Sequence, residues 1–501
     1  MARKAATLGI DVGTSALKGI LLGTDGRVLA SASAEYPLLT PHPGWSEQDP
    51  EAWWTACARV CRELLAKVDA EVIGVGLSGQ MHGSTFLDAH GQVIRPALLW
   101  NDARTGAECV EIERRVGRTE LIRITGNRAN AGFQAPKILW LQANEPDAHA
   151  RIAQVLLPKD FIRFRLTGER ATDAADASGT MLLDIATRRY SRAMQEALEI
   201  PAAWLPEVFE SADITGRISA AGAAATGLPE GIPVVAGGAD NACAAVGAGI
   251  IAEGQGVCSL GTSGTVFVHA NRPLVDPEGA INAFCACTPD GWHSMGVILS
   301  AGGALRWFVD TLEPKPAGGR DPFDALMDEI GAIEPGAGGV MFLPYLAGER
   351  SPHADPEARA AWTGLSLAHD RRHMARAVVE GIGFAFADCV ERMRAMGAAP
   401  ASLLLVGGGA RSPAWQHILA AQLAISLEPR AAQEGPALGA AILALVGSGA
   451  TPDLATAVRL AVPPGDPQAV RHPESTLARS YAGLHRRWQR LYPALRDARA
   501  P

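Results

Sequence analysis

Eight cysteines are scattered over 501 residues with no Cys-x-x-Cys pair among them, which excludes a disulfide framework and a zinc-ligand set. The expected compartment is reducing. Cys285 and Cys287 stand closest in sequence, and their i, i+2 spacing on an apolar strand reads as core or wall. Basic runs are missing too: 45 Lys and Arg stand against 53 Asp and Glu, for a net charge of −8, and nothing tracks a nucleic-acid backbone. No nucleic-acid partner is expected. The longest late apolar stretch, Ala437 to Val446, is too short for a bilayer. Asp11 and Lys18 interrupt the apolar run that would have to follow Arg3 and Lys4 in a signal peptide. A cytoplasmic protein with no membrane partner is the expectation. There is no low-complexity linker and no G-x-x-x-x-G-K-[ST] phosphate loop, so any hinge is short and any nucleotide needs another cradle. Apolar residues still make up 48% of the chain, which at this length predicts two cores rather than one.

What the chain does contain is one phrase written twice. Leu8-Gly9-Ile10-Asp11-Val12-Gly13-Thr14-Ser15 near the start is answered by Val257-Cys258-Ser259-Leu260-Gly261-Thr262-Ser263-Gly264 past the middle. Each is an apolar run, a Gly-Thr-Ser turn and a second apolar run, which reads as strand, turn and returning strand. Glycine lets a ligand approach the backbone closely, and the hydroxyls and turn amides are donors suited to phosphate oxygens. Two such turns predict two similar domains gripping one polyphosphate from opposite sides.

A third strand is predicted at Val28 to Ala34, a helix after Asp49-Pro50, and a buried strand at Val72 to Leu77. That order, three antiparallel strands then helix and strand, resembles the opening of the actin-like ATPase domain. The second half repeats it with strands near 256–259, 265–269 and 292–299 and a helix over 301–311. Helices at 371–396 and 415–425 flank a strand at 403–406, and 436–446 forms a late helix. The boundary is placed near residue 246. Gly74-Val75-Gly76-Leu77-Ser78-Gly79 fits G-x-G-x-x-G, but residues 80–87 read as strand, followed by a turn and another strand at Val93. No helix is there to receive a pyrophosphate.

The sharpest local signal is the run from Pro233 to Gly247, an apolar strand entering Gly237-Gly238 and presenting Asp240 and Asn241 ahead of an Ala-rich helix. As a plain helix cap Asp240 would be unremarkable in chemistry. Placed between domains, its carboxylate can take the proton of a hydroxyl attacking a γ-phosphate, while Asn241 holds a neighbouring hydroxyl. Asp11 is a charge inside an apolar strand, costly unless matched, and hydrated Mg²⁺ beside a triphosphate is the match expected. Gly79-Gln80-Met81-His82-Gly83 and Leu99-Trp100-Asn101-Asp102-Ala103-Arg104 each follow an apolar strand and concentrate polar side chains for a small polyhydroxylated substrate. Gly407-Gly408-Gly409-Ala410-Arg411-Ser412 offers flat backbone against which an adenine or ribose can lie.

Taken together these residues resemble the FGGY carbohydrate kinases, and within them the bacterial xylulokinases. Further segments in the same order carry the resemblance: Gly44-Trp45-Ser46-Glu47-Gln48-Asp49-Pro50, Leu157-Pro158-Lys159-Asp160, Ala177-Ser178-Gly179-Thr180 and Gly348-Glu349-Arg350-Ser351-Pro352. The resemblance implies an α/β fold of two ribonuclease-H-like (actin-like ATPase) domains with an interdomain active-site cleft. Residues 1–246 would bind sugar and supply the base, and 247–501 would bind nucleotide. By motif, Asp240 is the proton acceptor, and Met81 and His82 the sugar-binding pair, with Asn101, Asp102 and Asn241 beside them. Gly13, Thr14, Ser15, Gly261 and Thr262 would hold phosphates, and Gly408, Gly409 and Ser412 would face the adenosine. Glycerol kinases carry Arg-Glu where this chain has Met-His, which favours a ketopentose over glycerol. Ala16 and Ala103 stand where glycine is common in relatives. The implied activity is ATP-dependent phosphorylation of D-xylulose to D-xylulose 5-phosphate with Mg²⁺, and a homodimer is the assembly expected. The alternatives are a kinase for another ketose or polyol, a non-kinase actin-like ATPase, and a sugar-sensing regulator.

Overall fold

The computed structural model describes residues 3–312, 322–430 and 435–499. Strand β1 (Lys4–Val12) turns at Gly13 into β2 (Ala16–Gly23), and β3 (Val28–Glu35) pairs antiparallel with β2. Helix α1 (Pro50–Lys67) begins where the Asp49 carboxylate accepts the Glu51 amide and Pro50 needs no hydrogen-bond acceptor. It buries Trp53, Cys57, Val60 and Leu64 at helical spacing against the sheet. The chain returns as β4 (Ala70–Gly79), parallel to β1. After an insert containing α2 (Pro158–Thr167) come β5 (Ile214–Arg217), β6 (Pro233–Val235) and β7 (Gly238–Ala239). The sheet runs β5–β6–β4–β1–β2–β3, and β7 pairs with the far end of β4. Helix α3 (Asp240–Gly247) follows β7 at once.

The second half repeats this plan. Strands β8 (Gly256–Leu260) and β9 (Gly264–Ala270) form the second hairpin, and β10 (Asn282–Cys285) and β11 (Trp292–Ile298) extend it. Helix α4 (Gly302–Leu312) and the 25-residue α5 (Arg371–Ala395) precede β12 (Ser402–Val406), which lies parallel to β8 as β4 does to β1. Then come α6 (Pro413–Leu423) and β13 (Ser426–Pro429), giving the order β10–β11–β9–β8–β12–β13. Two sheets with the same hairpin-plus-parallel-strand arrangement make this a two-domain, ribonuclease-H-like α/β fold. The core of the second half lies between its sheet and the apolar faces of α4, α5 and α6.

Late helix α7 (Gly435–Gly447) crosses back and packs on β1 and β4 of the first sheet. The sequence allows this by leaving side chains out: a Cβ at Gly9 would sit 2.0 Å from Ala437 O, and one at Gly76 1.9 Å from Ala440 O. Gly74 and Gly76 are therefore a helix-packing surface inside β4, Gly79 lies against Val12 and Lys159, and no dinucleotide loop is formed. The strand predicted over 80–87 begins only at Thr85, because His82 takes a positive φ of 66° and the Gly83 amide closes a tight turn on Met81 O at 2.8 Å. All eight cysteines are free. Cys285 ends β10, while the Cys287 Sγ, beyond the strand, lies 4.0 Å from Cys243 on α3. No helix among the described residues is long and apolar enough to cross a membrane.

Candidate active site

The parallel strands of the first sheet bring three loops to one edge. Asp11 on β1 is in register with Ser78 on β4, which is in register with Gly238 on β7. Asp240 follows two residues later, so two carboxylates from distant parts of the chain meet beyond the carboxyl ends of the strands, where open α/β sheets bind ligands. Burial pushes the Asp240 carboxyl up to about 6, against the Asn241 amide that its Oδ1 accepts at 2.7 Å. Burial, then the Asp240 charge, raise Asp11 to about 7, with the Lys18 charge working the other way. Asp240 opens α3 as its first residue and the cap position belongs to Ala239, so the carboxylate is not a helix cap. The Oδ1 of Asp11 is buried with no hydrogen-bond partner, an uncompensated donor set that suits a cation.

The first Gly-Thr-Ser turn is held from behind by side chains that motif reading left without roles. Gly13 O accepts from the Tyr36 hydroxyl and from Gln80 Nε2, and Thr14 O accepts from Gln48 Nε2 at 2.6 Å. The Thr14 hydroxyl donates to Gln80 Oε1 at 3.2 Å and accepts from Trp100 Nε1 at 3.0 Å, while Ser15 is exposed. Gln48, Gln80 and Trp100 each stand inside a motif already noted, which is the signal that could have found them.

Met81 is buried and His82 half-buried. The His82 ring stacks on Phe133 with centroids 4.2 Å apart, and its Nδ1 lies 2.7 Å from Gly179 O. Lys137 Nζ donates to His82 O and Gly132 O at 2.7 and 2.6 Å. Burial holds the imidazole down to about 3, against the Gly179 carbonyl, with the Lys137 and Arg350 charges adding to it. His82 is thus a neutral imidazole at physiological pH. Phe284 of the second half lies 6.1 Å from it, so the pocket is walled from both domains.

Asn101 is exposed. Asp102 is different. It is buried, with Oδ2 accepting from the Ser46 amide at 2.7 Å and from Arg104 Nη2 at 2.6 Å, and Oδ1 accepting from Arg104 N and Nε. Arg104 in turn lies over the Trp45 ring at 3.6 Å. Both carboxylate oxygens being occupied, Asp102 braces the loop rather than meeting a substrate, a correction to its expected place among the sugar ligands. Asn241 points across the domains, its Nδ2 3.5 Å from Met295 Sδ.

In the second half, the ends of β8 and β12 lie side by side, Ser259 in register with Val406, so the two glycine runs that follow are neighbours. Gly261, Thr262, Gly408, Gly409 and Ser412 line one cavity of about 380 Å³ together with Gly302, Arg306 and Trp415. Ser412 also caps α6, accepting the Trp415 amide. A Cβ at Gly261 would meet nothing closer than Ser263 O at 3.4 Å, so the position has room. Gly261→Val is expected to weaken ATP binding by about tenfold or more, because a branched side chain keeps the phosphates off the turn backbone, and a thermal melt checks that the variant is folded. Titration calorimetry returning the parental ATP affinity would make the turn a hairpin only.

Residues 6–247 match the N-terminal domain of the FGGY family of carbohydrate kinases, and residues 256–448 match the C-terminal domain of that family. The chain belongs to the FGGY carbohydrate kinases. This FGGY kinase is 44% identical to the xylulose kinase of Escherichia coli strain K12 over 88% of its own length and 89% of the relative's. Its structure superposes on a "xyloylose kinase" from Brucella ovis with a TM-score of 0.91 at 38% identity, covering 98% of this chain and 100% of that one. The xylulose kinase of Rhodospirillum rubrum superposes with a TM-score of 0.92 at 30% identity, covering 98% and 99%. Arg350 of the second domain bears on His82 through its charge, and Glu349 precedes it. Glu349 accepts the Leu299 and Arg350 amides at 3.0 and 2.7 Å, and burial raises its carboxyl to about 8.

Proposed function

We propose that this FGGY kinase transfers the γ-phosphoryl group of ATP to the terminal hydroxyl of D-xylulose, giving D-xylulose 5-phosphate. The observation that carries the reading is the neutral, Phe133-stacked His82 beside buried Met81, set on the same strand-end edge as Asp240. A neutral imidazole and a thioether suit an uncharged ketose, and curated relatives matched over 88% of the chain at 44% and 41% identity are named xylulose kinases. Residues 1–246 hold sugar and base in this reading, and 247–501 hold the nucleotide in the cavity between Gly261 and Gly408. ATP and unpaired thiols fit a reducing cytoplasm.

The steps follow from the chain's own groups. Met81 and His82 fix the sugar so that its terminal hydroxyl meets Asp240. Ionised Asp240 takes the hydroxyl proton as the oxygen attacks the γ-phosphorus, whose bond to the bridging oxygen breaks so that ADP leaves with that oxygen. The amides of Thr14, Ser15 and Thr262 orient the phosphates and stabilise their charge, while those of Gly13 and Gly261 close the turns on Ala16 O and Ser263 O at 3.1 Å each. The unpartnered Asp11 oxygen would hold hydrated Mg²⁺. When bound, that ion supplies charge neutralisation of the triphosphate.

A coupled assay over D-xylulose, D-ribulose, L-ribulose, L-xylulose, D-fructose, glycerol and xylitol tests the assignment. D-Xylulose is expected to give the highest kcat/KM, and His82→Ala to raise its KM far more than that for ATP, since a site built around particular hydroxyls rejects analogues that lack or invert them. Another sugar winning by about tenfold would replace the substrate and keep the kinase. Absence of any sugar-stimulated ADP release would return the chain to the ATPase reading.

A further inference from the structure

The segments Leu157–Asp160 and Ala177–Thr180 take no part in the steps above, yet they meet in the most heavily charged part of the interior. Lys159, Asp160, Arg163, Asp173 and Asp176 all have fully buried side chains. Lys159 Nζ lies 2.6 Å from Asp160 Oδ1, 2.6 Å from Asp173 Oδ2 and 3.4 Å from Asp176 Oδ2, and Arg163 Nη2 lies 3.1 Å from Asp160 Oδ1. Burial works against the Lys159 charge, but its three carboxylate neighbours outweigh it and hold the ammonium above the ordinary lysine range. Burial, against the pull of Lys159, raises the Asp173 carboxyl, and it raises that of Asp176, whose oxygens make no hydrogen bond, well above the ordinary carboxylate range. A buried ion cluster is poor evidence of stability, because desolvation cancels much of the attraction. Its geometry shows another use.

One arm is Arg163. Its Nη1 donates to Val235 O at 2.8 Å and to Thr215 Oγ1 at 2.6 Å, its Nη2 donates to Ala236 O, and its Nε donates to Ala171 O at 3.3 Å. The amides of Ala236 and Gly237 are taken by Asp213 O and Ser211 O at 2.8 Å each. The strand entering the Asp240 turn is thus gripped on both polar sides. The other arm is Lys159, which holds Asp173 and Asp176 at the start and within the short helix Ala174–Ala177. That helix runs directly into Ser178–Thr180, where Gly179 O meets His82 Nδ1 and a Cβ on Gly179 would lie 2.5 Å from that atom. Asp160, between the two cations, joins the arms.

We propose that this ion cluster is a positioning device with two outputs: Arg163 sets the Asp240 carboxylate through the Val235 and Ala236 carbonyls, and Lys159 sets the His82 ring through Asp176 and Gly179. The proposal rests on the kinase reading for what the two outputs do. Displacing a reacting group by about 1 Å from a distance can cost 10²-fold, so the arms separate in kinetics. Arg163→Met is expected to lower kcat by tenfold or more, on the order of that misplacement, with KM for ATP unchanged, and Arg163→Lys to recover part of the loss. In an Asp240→Asn background the same change adds little, because the two act through one group. Asp176→Asn is expected to raise the sugar KM several-fold and leave kcat and the ATP KM near parental values.

Thr215→Val, which removes one Arg163 contact, and Asp176→Asn are mild enough to keep the test open should Arg163→Met fail to fold. Hydrogen exchange read by mass spectrometry supplies a measure independent of turnover. Arg163 and Thr215 variants should loosen residues 233–241 and spare 178–183, and Asp176→Asn should do the reverse. Folded variants that lose kcat and both KM values together, or loosen both segments equally, overturn the proposal. So does full additivity of Arg163→Met with Asp240→Asn. If the parent prefers another sugar, the substrate reading fails and the same panel is run with that sugar; if it phosphorylates none, the exchange pattern alone decides the positioning claim.

Discussion

Asp240→Asn is expected to bind ATP and sugar with near-parental affinity and to lose transfer by about 10²–10⁴-fold, the usual worth of a positioned general base. The amide keeps the size of the side chain and loses the ability to take a proton. Because the carboxyl titrates near 6, the parent's kcat/KM should hold at neutral pH and fall as pH drops through that value, since the working form is the ionised one. Stability should move the other way. A carboxyl whose folded value is raised above the unfolded 3.8 costs stability when ionised. The Asn variant should therefore melt no lower than the parent at pH 7, with its advantage shrinking as pH falls from about 6 toward the unfolded value. Calorimetric melts beside a coupled assay check both signs. A variant within a few-fold of parental turnover would leave Asp240 without a catalytic part.

Gly237→Ala is expected to damage folding and turnover together. Gly237 has a φ of 75°, where a side chain is strained, and a Cβ there would lie 1.8 Å from Leu77 O. Leu77 cannot yield freely, because it sits in the middle of the parallel pairing of β4 with β1, opposite Ile10. Backbone strain and overpacking together amount to roughly 2–5 kcal/mol. The chain three residues before Asp240 must move to relieve them, so kcat should fall even in whatever fraction folds. Denaturant unfolding followed by intrinsic fluorescence, with assay of the soluble fraction, reads both effects. Parental stability would mean that the turn is softer than its geometry shows.

Local patterns in the sequence reached far because they depend on neighbours in the chain. The two hairpins, the helix after Asp49, the strand at 70–79 and the late helix at 435–447 all lie where periodicity and turn residues put them. The miss at 80–87 came from a single residue, since no pattern requires His82 to adopt a left-handed backbone. Asp102 looked like a sugar ligand because acidic residues after an apolar strand face clefts so often. Arg104, two residues on, and the Ser46 amide, 56 positions back, claim it instead.

By itself, then, the sequence determined the paired Gly-Thr-Ser turns, the α/β order of elements and the carboxylates Asp11 and Asp240, since each is written within about a dozen consecutive residues whose backbone preferences agree. Tertiary structure alone decided which polar groups remain available for chemistry. Gly13 O is taken from positions 36 and 80, Thr14 by Trp100, and the approach to Asp240 by Arg163, 73 residues before Ala236. A buried polar atom must find a partner, and which one it finds is settled by the packing of distant elements rather than by its neighbours in the chain. The unpartnered Asp11 oxygen and the neutral His82 ring are what that competition leaves at the strand ends.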